Sequence, residues 1–237
     1  MIRQVLAALA ICLGGLISLP AAATSREIFF TVERNGTPFG THSLRFETTP
    51  QALTVSVAID LKVDFGPITV FRYTHRNREV WTAGAGGLRL AALDTQTDDD
   101  GATFRTAGVA LGQGFRLSEG EATGVLPGDI VPTSYWHRAS LERRAWLDTQ
   151  SGRLRQVRVQ PLGPESVTVA GQPVTANRYR VTGDLEMDLW YLPNGEWAGL
   201  EFSARGSLIR YRRQTPADVA VLPEGVKPAP ALASAAP

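Results

Sequence analysis

The chain has 237 residues, with 24 Lys and Arg against 23 Asp and Glu, a formal net charge of +1, 43% hydrophobic residues and one cysteine. A balance this close to zero argues against a nucleic-acid or anionic-membrane partner held by bulk charge. A single thiol excludes a disulfide framework within the chain, so stability must come from one apolar core.

Residues 1–23 read as a cleavable signal peptide. Arg3 opens the segment, an uncharged run follows from Val5 to Leu19, Pro20 breaks it, and Ala21, Ala22 and Ala23 supply the small residues of a cleavage site. The apolar run is shorter than the roughly 20 residues a membrane-spanning helix needs. Cleavage after Ala23 and a periplasmic or secreted product are expected, not an integral membrane protein. Cys12 follows Ile11, where a lipoprotein signal calls for a small residue, and reads as a spare apolar position. Cleavage would remove Arg3 and no acid, leaving a thiol-free, formally neutral chain.

Beyond the leader the dominant period is two, the mark of half-buried strands. Ile28, Phe30 and Val32 share one face of the first strand, and Asn35-Gly36 ends it. His42 falls on the same face as Leu44 and Phe46, where a hydrogen-bonded core histidine is the simplest reading. The clearest alternation is Leu53, Val55, Val57, Ile59, Leu61, Val63 and Phe65 against polar or small neighbours. It predicts a strand of about 40 Å, longer than most globular sheets use and best accommodated by strong twist. On the next strand His75 shares a mixed aromatic and polar face with Phe71, Tyr73, Asn77 and Trp81, while Arg72, Arg76 and Arg78 point the other way.

Asp100-Gly101, Ala170-Gly171, Asn194-Gly195 and Arg205-Gly206 punctuate later runs as Asn35-Gly36 does. Residues that tolerate positive φ suit two-residue hairpins, so neighbouring strands should be sequential and antiparallel. The segment from Pro132 to Trp146 is the only helical candidate, a short turn capped by Thr133 or Ser134 or an irregular cover over one opening of the sheet. From residue 215 the composition turns to Pro and Ala and cannot recover its ordering entropy.

No motif in the chain carries chemistry. The three histidines show no HxH or HExxH spacing. Asp98-Asp99-Asp100-Gly101 lacks the alternating ligands of a calcium loop and reads as a solvated hairpin tip. Ala83-Gly84-Ala85-Gly86-Gly87 lacks the Lys of a phosphate loop. Ser134, His137 and Asp129 lie too close in sequence for a catalytic relay. Arginine clusters at Arg72, Arg76 and Arg78, at Arg143 and Arg144, and at Arg210, Arg212 and Arg213 suit phosphate or carboxylate contacts, or simply a solvated face.

Val32-Glu33-Arg34-Asn35-Gly36 with Gly40-Thr41-His42, then Ser134-Tyr135-Trp136, Leu147-Asp148-Thr149-Gln150-Ser151-Gly152, and Leu189-Trp190-Tyr191 with Gly195 resemble an exported bacterial family, a domain of unknown function, over nearly all of residues 27–212. The resemblance implies a curved antiparallel sheet, similar in outline to the open half-barrels of periplasmic lipoprotein carriers. It implies no activity and no functional residue.

The expectation is therefore a signal peptide over 1–23, one all-β domain over 24–214 and a disordered tail over 215–237. The domain should be a single strongly curved antiparallel sheet or partly closed β-barrel of about nine to twelve strands, with one short helical or irregular insert. A sheet with so long an apolar face must close on a core or leave a groove. The leading expectation is a non-enzymatic binding protein that holds a lipid-like or extended ligand on the concave face, lined by Val57, Ile59, Leu61, Phe71, Tyr73, His75 and Trp81. The alternative is an envelope structural or assembly protein that engages a partner through its arginine-rich face and tail. An enzyme using a histidine at the groove comes third. No catalytic residue, metal, cofactor or nucleic-acid partner is expected.

Overall fold

The computed structural model describes residues 24–84 and 86–217. The signal-peptide reading and the part of the expected disordered tail from residue 218 lie outside the described residues. Within them fifteen strands form one sheet: β1 (Thr24–Arg34), β2 (Thr37–Thr48), β3 (Leu53–Phe65), β4 (Ile68–Gly84), β5 (Gly87–Asp99), β6 (Ala102–Leu111), β7 (Gly114–Glu119), β8 (Gly124–Pro127), β9 (Val131–Pro132), β10 (Ala145–Leu147), β11 (Leu154–Val169), β12 (Gln172–Gly183), β13 (Met187–Tyr191), β14 (Trp197–Ala204) and β15 (Ser207–Arg213). The order runs from β8 down to β1, then from β15 down to β9. Strand β1 thus pairs with β15, Phe30 opposite Arg213, and joins the two ends of the domain. Every pairing is antiparallel except that of β9 with β10.

The fold is all-β, as the period of two dictates. The strand count exceeds the expected nine to twelve because β8, β9 and β10 are two to four residues long, too short to leave an alternating signature. The helical candidate reduces to one 3₁₀ turn, Arg138–Glu142. Asn35-Gly36, Asp100-Gly101, Ala170-Gly171 and Arg205-Gly206 have positive φ at both residues, the requirement of the tight hairpin turn that matches strand twist. Asn194-Gly195 does not behave this way. Only Gly195 has positive φ, and Leu192–Glu196 form a wider loop closed by Leu192 N to Glu196 O at 2.8 Å.

The sheet stops short of closing into a barrel. Its edges, β8 and β9, do not pair. The seam is instead bridged by Glu121 N to Ser151 O at 2.9 Å and Ala122 N to Gly152 O at 3.1 Å, with Arg153 paired to Glu121 alongside. Glycine is needed at this seam. A Cβ on Gly120 would lie 2.8 Å from the Cα of Gly152, and both residues have positive φ.

The interior combines aliphatic side chains with large aromatic rings. Trp81, Trp136, Trp146 and Trp197 are all fully buried. Trp136 and Trp146 come from the segment between β8 and β11, which folds inward as a plug. Trp136 packs edge-on against Trp81 at 5.3 Å and Phe46 at 5.5 Å.

Candidate ligand cavity and buried polar row

The site is organised by the inward face of β4, where alternation places Phe71, Tyr73, His75, Asn77, Glu79 and Trp81 in one row. At the plugged end of this row the Glu79 carboxylate is fully buried. Its Oε1 accepts from Asn77 Nδ2 at 2.8 Å, and its Oε2 accepts from Trp81 Nε1 and Trp136 Nε1, each at 2.9 Å. The Ser134 hydroxyl is a fourth donor. Burial pushes the Glu79 pKa up while these four neutral donors hold it down. The Ser134-Tyr135-Trp136 run owes its form to this contact. Its outer members bind Glu79, Tyr135 between them takes φ of 62°, and the Tyr135 carbonyl accepts from Tyr191 Oη at 2.7 Å.

Midway along the row, the His75 Nδ1 lies 2.8 Å from Thr97 Oγ1 and its Nε2 3.3 Å from Thr149 Oγ1. Thr95 Oγ1 donates to the Thr149 carbonyl at 2.6 Å, and Thr106 Oγ1 donates to that of Gln150 at 3.3 Å. The Asp148–Gly152 turn is therefore held against the inner faces of β4, β5 and β6 by a set of hydroxyls. Burial lowers the His75 pKa from 6.5 to about 4, so the ring is neutral. His42, expected as a hydrogen-bonded core histidine, is buried as expected, but neither ring nitrogen has a hydrogen-bond partner among the described residues. It sits 5.3 Å from the Trp197 ring and 5.4 Å from that of Tyr211, and burial lowers its pKa to about 3. His137 stacks on Trp81 at 5.1 Å with its pKa lowered by burial to about 4.

Toward the other end of the sheet the row opens. Phe71 and Tyr73 line a cavity of about 570 Å³ together with Phe39, Ile59, Leu61, Val63, Val70, Phe202, Ile209 and Tyr211. Its polar edge is sparse. Tyr73 Oη donates to Gln150 Oε1 at 3.1 Å, Arg34 Nε donates to Ser207 Oγ at 2.9 Å, and Arg205 lies over the Phe71 ring at 5.2 Å and 3.9 Å from Asp99. Desolvation raises the Tyr73 pKa, so its hydroxyl stays protonated as a donor.

Of the seven expected lining residues, Ile59, Leu61, Phe71 and Tyr73 line the cavity. Val57, His75 and Trp81 do not, because they are buried in the packed half of the interior, where the plug fills the concave face. None of the three histidines lines the cavity. Ser134, His137 and Asp129 are not assembled: Ser134 bonds Glu79, His137 stacks on Trp81 and Asp129 pairs with Arg143 at 3.3 Å. Among the described residues no group of three or more His, Asp or Glu side chains is placed to hold a metal. Gln150, Phe202, Ile209 and Tyr211 were missed as lining. Tyr211 and Ile209 alternate on β15 with exposed or half-exposed residues, which marked them as inward but not as cavity wall.

Arg72, Arg76 and Arg78 are exposed on the outer face of β4, as the alternation implies. Arg213 is not a surface residue. It is fully buried, 2.7 Å from Glu196, and donates to the carbonyls of Trp197, Thr215 and Pro216, fastening the end of β15 to the β13–β14 loop.

The fold and site define a class: an all-β protein built on one large sheet not closed into a barrel, plugged at one end and holding an apolar cavity at the other. The chain belongs to the DUF6134 family, a domain of unknown function, whose pattern matches residues 30–214. It is also similar to the crystallised beta-barrel-like protein of domain of unknown function DUF1849 from Brucella abortus, at 12% identity over 82% of this chain and 97% of that one, with a TM-score of 0.48. No curated protein matches the chain.

Proposed function

We propose that this protein is an exported, non-enzymatic binding protein that holds a lipid-like ligand in the cavity at the open end of the sheet. The observation that carries the reading is the cavity itself, about 570 Å³, within the range of about 300–1,000 Å³ typical of small-molecule sites. Its walls are aliphatic and aromatic, with a few polar groups at one side. That pattern suits an amphiphile whose tail enters and whose head stays at Arg34, Arg205 and Gln150. The signal-peptide reading of residues 1–23 supports export of such a binder to the periplasm or outside the cell.

The outer face gives less support to the alternative, an assembly role through arginines. Arg76 pairs with Asp60 at 2.6 Å, Arg178 and Arg180 both pair with Asp188, Arg210 with Glu201, and Arg212 with Glu33 at 2.8 Å. Those five arginines are compensated within the chain, which leaves Arg72 and Arg78 of the exposed β4 cluster for such a role. Native mass spectrometry of protein purified from the periplasm tests the binding reading. Co-purifying apolar mass, displaced by a fluorescent fatty acid, is the expected result. A clean apo mass with no fatty-acid uptake sinks it.

A further inference from the structure

The end of the β3–β4 hairpin stands apart from the sheet. Strand β2 pairs with β3 only as far as Leu61, opposite Gly40, and β5 pairs with β4 only as far as Tyr73, opposite Asp99. Arg72 is still tied to the β5–β6 turn through Asp100 N to Arg72 O at 2.8 Å. From Val63 to Phe71 the two strands pair only with each other, and four residues beyond Arg72 project the tip by roughly 13 Å. Isolated two-stranded ribbons are marginal in water, and this one carries large apolar side chains in the open: Phe65 is 77% exposed, Ile68 62% and Val70 53%.

These side chains share one face. Phe65 lies opposite Ile68, Val63 and Val70 are their neighbours two residues along, and Val63, Val70 and Phe71 are themselves cavity wall. Thr69 and Asp64 occupy the other face, bonded at 2.8 Å. The apolar lining of the cavity therefore runs out of its mouth and onto the ribbon without a polar break.

We infer that the ribbon tip is a membrane-contacting element that seats the cavity mouth on a lipid bilayer surface. Three exposed side chains supply on the order of 400 Å², about half of what one partner contributes to a stable protein interface. That area is enough for interfacial insertion, which reaches about 5–10 Å into the headgroup region and so fits the projection of the tip. Basic groups flank it: Arg34, Lys62, Arg72 and Arg205 surround the ribbon, with Asp64 bound to Lys62 at 3.0 Å and Asp99 near Arg205. The acids Asp98 and Asp100 sit at the ribbon base, roughly 13 Å back and beyond the screening length of about 8 Å at physiological salt. The near-neutral chain offers no bulk attraction to a membrane, and apolar insertion with local cations needs none.

The inference does not depend on the cavity being occupied. Full-length processed protein is floated with vesicles of equimolar phosphatidylcholine and phosphatidylglycerol, alongside a Phe65→Ser/Ile68→Ser double variant and Val125→Ser, a control at an apolar position on edge strand β8 about as exposed as Ile68. Wild type and V125S should float, and the double variant should bind at least about tenfold more weakly with an unchanged melting temperature. Flotation of the double variant equal to wild type, or no flotation of wild type, overturns the inference. So does loss of fatty-acid uptake in a double variant of a protein that never floats, because the ribbon is then only cavity wall. Flotation without any fatty-acid uptake leaves the inference standing and removes the proposed ligand-binding function.

Discussion

The two ends of strand β3 meet different fates. Leu53, Val55 and Val57 are buried in the plugged half, whereas Ile59, Leu61 and Val63 are only partly covered and Phe65 stands in solvent. The pattern of side chains is the same along the whole strand. The difference lies in what the rest of the chain sends to meet it: Trp136, Leu141 and Trp146 at one end, and at the other the cavity. An apolar stripe thus establishes an inward face but leaves open whether that face is filled. Where it is filled, a polar group crosses the core with it, since Glu79 receives two indole donors and fixes the plug to β4.

This contrast is broken most severely by Trp136→Ala. It removes the largest ring between β2 and β4 and one of four donors to a buried carboxylate, so unfolding free energy should fall by roughly 3–5 kcal/mol in urea titrations. Leu61→Ala, at the open end of the same interior, should cost about 1 kcal/mol or less while reducing ligand uptake. Equal losses at both positions would show that the open half is as tightly packed in solution as the plugged half.

A second test uses pH. The unfolded chain protonates its histidines near 6.5, whereas burial holds His75 to about 4 and His42 to about 3 in the fold. Their contribution is fully present above the unfolded value and is lost as pH falls from 6.5 toward 4. By pH 5 each of these two, and His137, which burial likewise holds to about 4, should cost roughly 2 kcal/mol, partly offset by Glu79, whose raised pKa acts in the opposite sense. Urea midpoints at pH 7 and pH 5 measure the net change. A midpoint that does not fall would mean that these imidazoles are solvated.

The smallest expected effect is also the one of opposite sign. His42→Leu replaces two unpartnered buried nitrogens with an apolar group of similar size and should stabilise the protein by about 1 kcal/mol at pH 7, while flattening the loss at pH 5. Destabilisation of that size would reveal a bound water or ligand group on the ring.

Much of the cavity was legible from periodicity alone. Ile59 and Leu61 on β3, and Phe71 and Tyr73 on β4, were inward by alternation and do line it. Val57, His75 and Trp81 have the same periodicity but are buried away from the cavity, Trp81 beneath Trp136 and His75 against Thr149, contacts across 55 and 74 positions. Gln150 reaches the cavity from the Asp148–Gly152 turn, and Phe202 and Tyr211 from β14 and β15. No local pattern reports that convergence.

By itself the sequence determined the period of two, the inward and outward faces of each long strand, and four of the five tight turns it marked, at Asn35-Gly36, Asp100-Gly101, Ala170-Gly171 and Arg205-Gly206, the fifth at Asn194-Gly195 forming a wider loop. These depend on a few neighbouring residues and on the φ each tolerates. Only the tertiary structure decided that β1 joins β15, that the seam is bridged through Gly120 and Gly152, and that one half of the concave face is filled while the other is open. Each of those outcomes rests on packing between residues tens of positions apart, where the deciding quantity is the space left over when the chain has closed on itself.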